Sequence, residues 1–158
     1  MIRLIFSAVC VLVLSATAMA QSGSMDKVFQ LGTEEQRYEQ LTSTYSQSLL
    51  EATGGDITAA FEGWLNLQQA IDVYADNQGF DLNGVRLWMH VFWAADGGID
   101  QLGFLLRPDS RLVQENEIKA LLAGFIEQYR LPLQSVSNMK FNHYTGAAFP
   151  TLSQRRTN

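Results

Sequence analysis

The sequence predicts an α+β protein, an N-terminal helical hairpin followed by a ββαβ unit with a small antiparallel sheet. Three observations predict it. Apolar residues recur at helical spacing in two stretches between Thr33 and Asn77, separated by Gly54-Gly55. The period then changes to alternation from Val85 to Trp93, which is a strand pattern. A turn at Asp96-Gly97-Gly98 leads into a second such run, and helical spacing returns after it.

Residues 1–20 read as a secretory signal peptide. Met1-Ile2-Arg3 supplies a positive start, Leu4 to Ser15 is apolar, and Ala18-Met19-Ala20 has the small-x-small shape of a cleavage site. The apolar run is too short to span a bilayer. Residues 21–32 are expected to form a flexible leader, 33–153 a single α+β domain (hairpin 33–77, ββαβ unit 84–145), and 154–158 a mobile tail. The only cysteine, Cys10, lies inside the signal, so the exported chain would carry no disulfide. That favours a bacterial periplasmic or secreted protein, with no integral membrane segment once the signal is cleaved.

In the first helix, Thr33-Glu34-Glu35-Gln36 has the form of a capping box. Tyr38, Leu41, Tyr45 and Leu49 follow on one face, and Gly54-Gly55 ends the run. Asp56 caps the second helix, whose stripe is Ile57, Phe61, Trp64, Ile71 and Tyr74. The connection between them is short, which predicts an antiparallel pair.

Val85, Leu87, Met89, Val91 and Trp93 share one face of the first strand, and Arg86, Trp88, His90 and Phe92 the other. With Gly97-Gly98 as a two-residue loop, Trp93 faces Leu102, Val91 faces Phe104 and Met89 faces Leu106, while Phe92 covers Gly103. A third helix runs from about Glu115 to Tyr129, with Ile118, Leu121, Leu122, Phe125, Ile126 and Tyr129 on one side. Pro132 stops it, and Met139 to Tyr144 forms the last strand. The third helix covers the Val91/Phe104 face. The opposite face, with Trp88, His90, Phe92 and Leu105, is too apolar to stay wet and needs the N-terminal helices or a partner.

The chain is acidic, with a formal net charge of −5. From Gln21 to Gly84 there are ten acids and two bases, and from Val85 onward six acids and eight bases. An acidic total excludes nucleic acid as the expected partner.

Residues 84–132 resemble the C-terminal domain of TonB-type envelope proteins. Gly84-Val85-Arg86-Leu87 opens a strand, Asp96-Gly97-Gly98-Ile99 makes the hairpin, Ser110 stands in the next loop, and an amphipathic helix ends near Leu131-Pro132. The resemblance implies a periplasmic, non-enzymatic module that binds another envelope protein, often by strand pairing. The membrane anchor and proline-rich spacer of an energy transducer are missing from this chain, and so is a match at Phe141 to Pro150.

Little else points to chemistry. His90 and His143 could approach if the last strand pairs beside the first, and with Asp96 or Asp100 they could serve a small hydrolase or a metal-dependent enzyme. No third ligand is implied, and core histidines are the simpler reading. The acidic loop Asp76–Asp81 lacks the ligand spacing of an EF-hand, no G-x-S-x-G elbow occurs, and no cofactor is expected. An apolar ligand carried between sheet and helices is a further alternative. Trp88 and Phe92 are candidate interface anchors, and Arg107 and Arg111 could hold an acidic partner.

Overall fold

The computed structural model describes residues 26–132 and 139–151. The signal-peptide reading and the mobile tail at 154–158 lie outside the described residues. The elements are β1 (Val28–Gln30), α1 (Glu35–Thr44), β2 (Gln47–Ser48), α2 (Leu49–Ala52), α3 (Ile57–Asn77), β3 (Arg86–Trp93), β4 (Ile99–Leu106), α4 (Glu115–Gln128) and β5 (Phe141–Ala148). They build a sheet in the order β1-β4-β3-β5-β2. β3 pairs antiparallel with β4 and β5, while β1 and β2 add parallel to the outer sides of β4 and β5.

β3 holds the centre because both its faces are apolar. Leu87, Met89, Val91 and Trp93 face α3 and α4, and every one of them is buried. Trp64, Leu67, Ile71 and Ala75 of α3 meet this face beside Ile118, Leu122, Phe125 and Ile126 of α4. Burying one such large aliphatic or aromatic side chain contributes about 1.5–3 kcal/mol, so this layer is the main source of stability.

The expected N-terminal helical hairpin and small antiparallel sheet are both incorrect. α1 lies on the opposite face, where Tyr38 and Leu41 close a second, smaller cluster of Phe29, Tyr45 and Phe92. The reason lies at the edge of the sheet. The apolar spacing through Tyr45 and Leu49 does continue, but the helix stops at Thr44. The Asn142 side-chain amide donates to the carbonyls of Tyr45 and Gln47, and Gln47-Ser48 pairs with Phe141-Asn142. The chain thereby passes around the sheet edge and restarts on the other side. A capping box does exist, but at Ser48–Glu51 rather than Thr33–Gln36: the Ser48 hydroxyl accepts from the Glu51 amide, and the Glu51 carboxylate accepts from the Ser48 amide. Thr33 instead donates to the Gln30 carbonyl.

Asp56 caps α3 as expected, accepting from the amides of Thr58 and Ala59. Two further expectations change. Val28–Gln30, placed in a flexible leader, is a strand whose Val28 is fully buried. The final strand runs to Ala148 rather than Tyr144.

The β3–β4 register differs from the expected one by two residues. Val91 pairs with Leu102, Met89 with Phe104 and Leu87 with Leu106. An even shift keeps every side chain on its expected face. The Gly97 amide donates to the Ala94 carbonyl and Gly97 takes φ +81°, so the turn holds three residues rather than two. This register would put Trp93 against Asp100. A bulge between Phe92 and Trp93 prevents it, and Trp93 meets Ile99 instead. The aromatic ring over Gly103 is that of Phe29 and not Phe92.

Candidate functional site

β5 carries the edge of the sheet nearest α3. The Arg107 amide donates to the Arg86 carbonyl, so even-numbered residues of β3 turn their backbone groups to β4 and odd-numbered ones to β5. The Phe149 amide, bonded to the Val85 carbonyl, obeys the same parity. Opposite the odd residues stand Phe141, His143, Thr145 and Ala147. Tyr144, Gly146 and Ala148 therefore direct their N–H and C=O groups outward. β2 covers this edge only at Phe141 and Asn142. Among the described residues, no backbone group bonds the edge beyond that point.

An apolar groove of about 440 Å³ runs beside this edge, lined by Leu50, Ile57, Phe61, Trp64, Leu65 and His143 among others. Two of the five residues of the predicted α3 stripe, Ile57 and Phe61, belong to it rather than to the core. Ile57 is 74% exposed and Phe61 60% exposed. The inward Trp64 ring sits 5.0 Å from the His143 ring, centroid to centroid. Trp64 and Trp88 lie on opposite sides of the sheet, because α3 covers the face opposite Trp88.

On that opposite face, Trp88 and Tyr144 lie nearly parallel, with centroids 6.1 Å apart at 17°. The Arg107 guanidinium stands 5.1 Å over the Trp88 ring, and Asp109 bridges Arg107 and Arg86. α1 stops short of this end of the sheet, leaving Tyr144 half exposed. Phe92 is separated from Trp88: it is fully buried against Tyr45. Arg111 is held at the start of β3, bonded to the Asp81 carbonyl and near its carboxylate. Of the four expected binding residues, the structure groups Trp88 with Arg107 and sets Phe92 and Arg111 apart.

His90 and His143 stand on opposite faces of the sheet, since His143 pairs with Val91 and His90 with Tyr144. His90 is bonded to the Tyr38 hydroxyl at 3.0 Å and to Asn142 Oδ1 at 2.9 Å. Burial pushes its imidazole below the ordinary range, and the bond to Asn142 opposes part of that. Burial, and then the nearby His90, push His143 down as well. Neither ring touches a carboxylate among the described residues. Asp100 is occupied elsewhere, accepting from the Tyr45 hydroxyl at 2.6 Å beside Lys140, and burial followed by that bond pushes the Tyr45 phenol far up. Asp96 accepts from the Gly98 amide in the turn. The two histidines thus give no shared centre for proton transfer, and no cluster of three or more His, Cys, Asp or Glu suited to a metal occurs among the described residues. The layer between sheet and helices is filled by Leu67, Ile71, Met89 and Val91, all fully buried.

No family model, curated protein or solved structure matches this chain. No helix among the described residues is long and apolar enough to cross a membrane. Leu50, Ile57, Phe61 and Tyr144 were not among the residues expected to form a site. Periodicity marks an apolar stripe without saying what covers it, so only the exposure of Ile57 and Phe61 singles them out.

Proposed function

We propose that this chain is an exported, non-enzymatic binding module of the bacterial envelope that takes an extended segment of another protein as an added strand on β5. One observation carries the reading: among the described residues, the outward backbone groups of Tyr144, Gly146 and Ala148 have no backbone partner, and they stand beside an apolar groove. Strand addition draws affinity from such backbone groups and specificity from pockets for alternate side chains. An added strand would send alternate residues toward Ile57 and Phe61 on one face and toward Tyr144 and Trp88 on the other. The edge is also undefended, since no proline or lysine stands between His143 and Ala148. Export rests on residues 1–20, and strand pairing is the mode of binding that the TonB-like resemblance of residues 84–132 implies.

The test uses an edge that has been blocked. Ala148→Pro removes an outward N–H and no bond to β3. Immobilised wild-type chain, Ala148→Pro and Trp88→Ala are exposed to solubilised envelope. A protein kept by wild type, held more weakly by Trp88→Ala and lost by Ala148→Pro supports the reading. A protein kept equally by Ala148→Pro moves the interface off the edge and overturns it.

A further inference from the structure

A second groove lies between α3 and α4 and shares no lining residue with the one beside β5. Its volume is about 380 Å³, within the range of small-molecule sites, roughly 300–1,000 Å³. Four carboxamides line it, those of Asn66, Gln69, Asn77 and Gln128, together with Tyr74, Phe125 and Tyr129. Among the described residues, no Asp, Glu, Lys, Arg or His belongs to the lining. Both helices carry charge elsewhere, at Glu62, Asp76, Lys119 and Glu127 for example. The neutrality therefore belongs to the groove and not to the helices.

The sequence shapes this groove at three points. Asn66, Gln69, Tyr74 and Asn77 stand at i, i+3, i+8 and i+11, a face of α3 beside the one that Leu67, Ile71 and Ala75 send into the core. Gly124 lets that face close on α4, since a Cβ there would stand 2.3 Å from the Tyr74 hydroxyl oxygen. The half-buried Tyr74 ring lies 5.8 Å from that of Phe125, which stacks on Tyr129 at 5.0 Å. The Tyr129 hydroxyl donates to Asn66 Oδ1 at 3.0 Å, which orients that amide and leaves its Nδ2 as a donor. Burial pushes the Tyr129 phenol far up, so it remains a neutral donor. Among the described residues, the exposed side chains of Asn77 and Gln128 make no hydrogen bond to protein.

The ligand follows from what each alternative would leave unmatched. An ion would lose water and find no counter-charge in the lining. An alkyl chain would set carboxamides against a surface that neither donates nor accepts. A peptide strand pairs its backbone on a sheet edge, and two helices offer it side chains alone. A sugar ring matches both kinds of group. Its hydroxyls donate and accept, as carboxamides do, and the C–H hydrogens of its apolar side suit the negative face of an aromatic ring. We propose that the α3–α4 groove binds a neutral saccharide of one or two rings, held by Tyr74 and by the carboxamides of Asn66, Asn77 and Gln128. The site is independent of the strand-addition reading of β5.

The probes are three neutral disaccharides, cellobiose, maltose and chitobiose, added to the full chain while NMR follows the side-chain amide signals of Asn66 and Gln128. The expected result is a saturable shift of both signals with at least one probe, at a Kd of about 1 mM or tighter. Gln128→Ala and Tyr74→Leu should each weaken that probe tenfold or more, read at Asn66, and Ala148→Pro should leave it unchanged. Tyr74→Leu removes a ring packed on Phe125, so Gln128→Ala carries the test if that variant unfolds early in urea. The same disaccharide with a carboxylate in place of one hydroxymethyl group should bind at least tenfold more weakly. No shift with any of the three probes at ten times that concentration would overturn the proposal. Binding that survives both Gln128→Ala and a folded Tyr74→Leu would place the sugar elsewhere and overturn it, as would loss of binding in Ala148→Pro. Equal affinity for the carboxylate form would overturn the neutral assignment. A peptide alternating alanine and serine that shifts the same amides more tightly than any disaccharide would make the groove a peptide site and overturn it too.

Discussion

Asn142 dictates the tautomer of His90. Its side-chain amide nitrogen donates to the carbonyls of Tyr45 and Gln47, so the amide has one orientation and its Oδ1 must face the imidazole. Oδ1 can only accept, so Nε2 of His90 carries the proton and Nδ1 is left to accept from the Tyr38 hydroxyl. A neutral ring satisfies every partner. Protonation would reverse the Tyr38 bond, with Nδ1–H donating to the hydroxyl oxygen, and would place a charge in a buried site beside the Phe92 ring 4.2 Å away. One asparagine thus ties α1, β2, β3 and β5 together.

The first prediction concerns pH. The folded-state values of His90 and His143 are both lowered from 6.5, first by burial. The unfolded chain therefore binds protons at about pH 6.5 while the fold still refuses them. Stability is fully present above about pH 7 and falls as pH drops through 6.5, until the folded groups themselves titrate. Urea unfolding between pH 7.5 and 5.5 should show this loss, with a slope of up to about 1.4 kcal/mol per pH unit for each histidine. His90→Gln, which can still donate to Asn142 and accept from Tyr38, should remove about half of the slope. An unchanged slope would acquit His90.

The second prediction inverts the sign at the same place. Asn142→Asp replaces a donor by an anion facing the carbonyls of Tyr45 and Gln47. Losing these bonds should cost about 1–3 kcal/mol, read as a lower urea midpoint. The new charge beside Nε2 should raise the His90 pKa from its present depressed position. Proton NMR titration of the ring reads the shift directly, and a further lowering would contradict the contact.

The third prediction tests the packing of α1's face. A Cβ at Gly103 would stand 2.6 Å from Leu31 Cδ2 and 3.0 Å from Phe29 Cζ. Phe29 is buried, so its ring has little room to yield. Gly103→Ala should cost about 1–3 kcal/mol through overpacking, even though alanine ordinarily suits a strand better than glycine. A stabilised Gly103→Ala would show that the cluster under α1 is loosely packed.

These residues also show what could be read from the chain alone. Asp56 and the α4 stripe announced their helices because a cap and an uninterrupted apolar face are local properties. The alternation in β3 sorted its two faces correctly, and an even register shift left that sorting intact. What was illegible depends on residues distant in sequence. Tyr45 and Leu49 continue a helical period that Asn142, about a hundred residues later, interrupts by taking two carbonyls. Val28–Gln30 and Gln47-Ser48 are too short for alternation and exist as strands only through their partners. The candidate site was the least legible part, since an unpaired edge depends on which strands lie beside it and on how far they extend.

The fourth prediction separates the two kinds of aromatic residue that the α3 stripe and the sheet contain. Phe61 sits on the predicted stripe but is 60% exposed, whereas Phe92 is fully buried. Phe92→Ala removes a packed ring from the cluster with Tyr45 and Phe29 and should cost about 3–5 kcal/mol. Phe61→Ala loses only partial burial and should change stability by less than about 1 kcal/mol. If the groove beside β5 is a binding surface, the ranking reverses in the binding assay. Phe61→Ala should weaken capture of the edge-dependent partner by tenfold or more while the protein unfolds at nearly the wild-type urea concentration. A Phe61→Ala variant that binds normally would mean that the exposed part of the stripe is only helix surface. One that unfolds as early as Phe92→Ala would mean that the stripe is core after all.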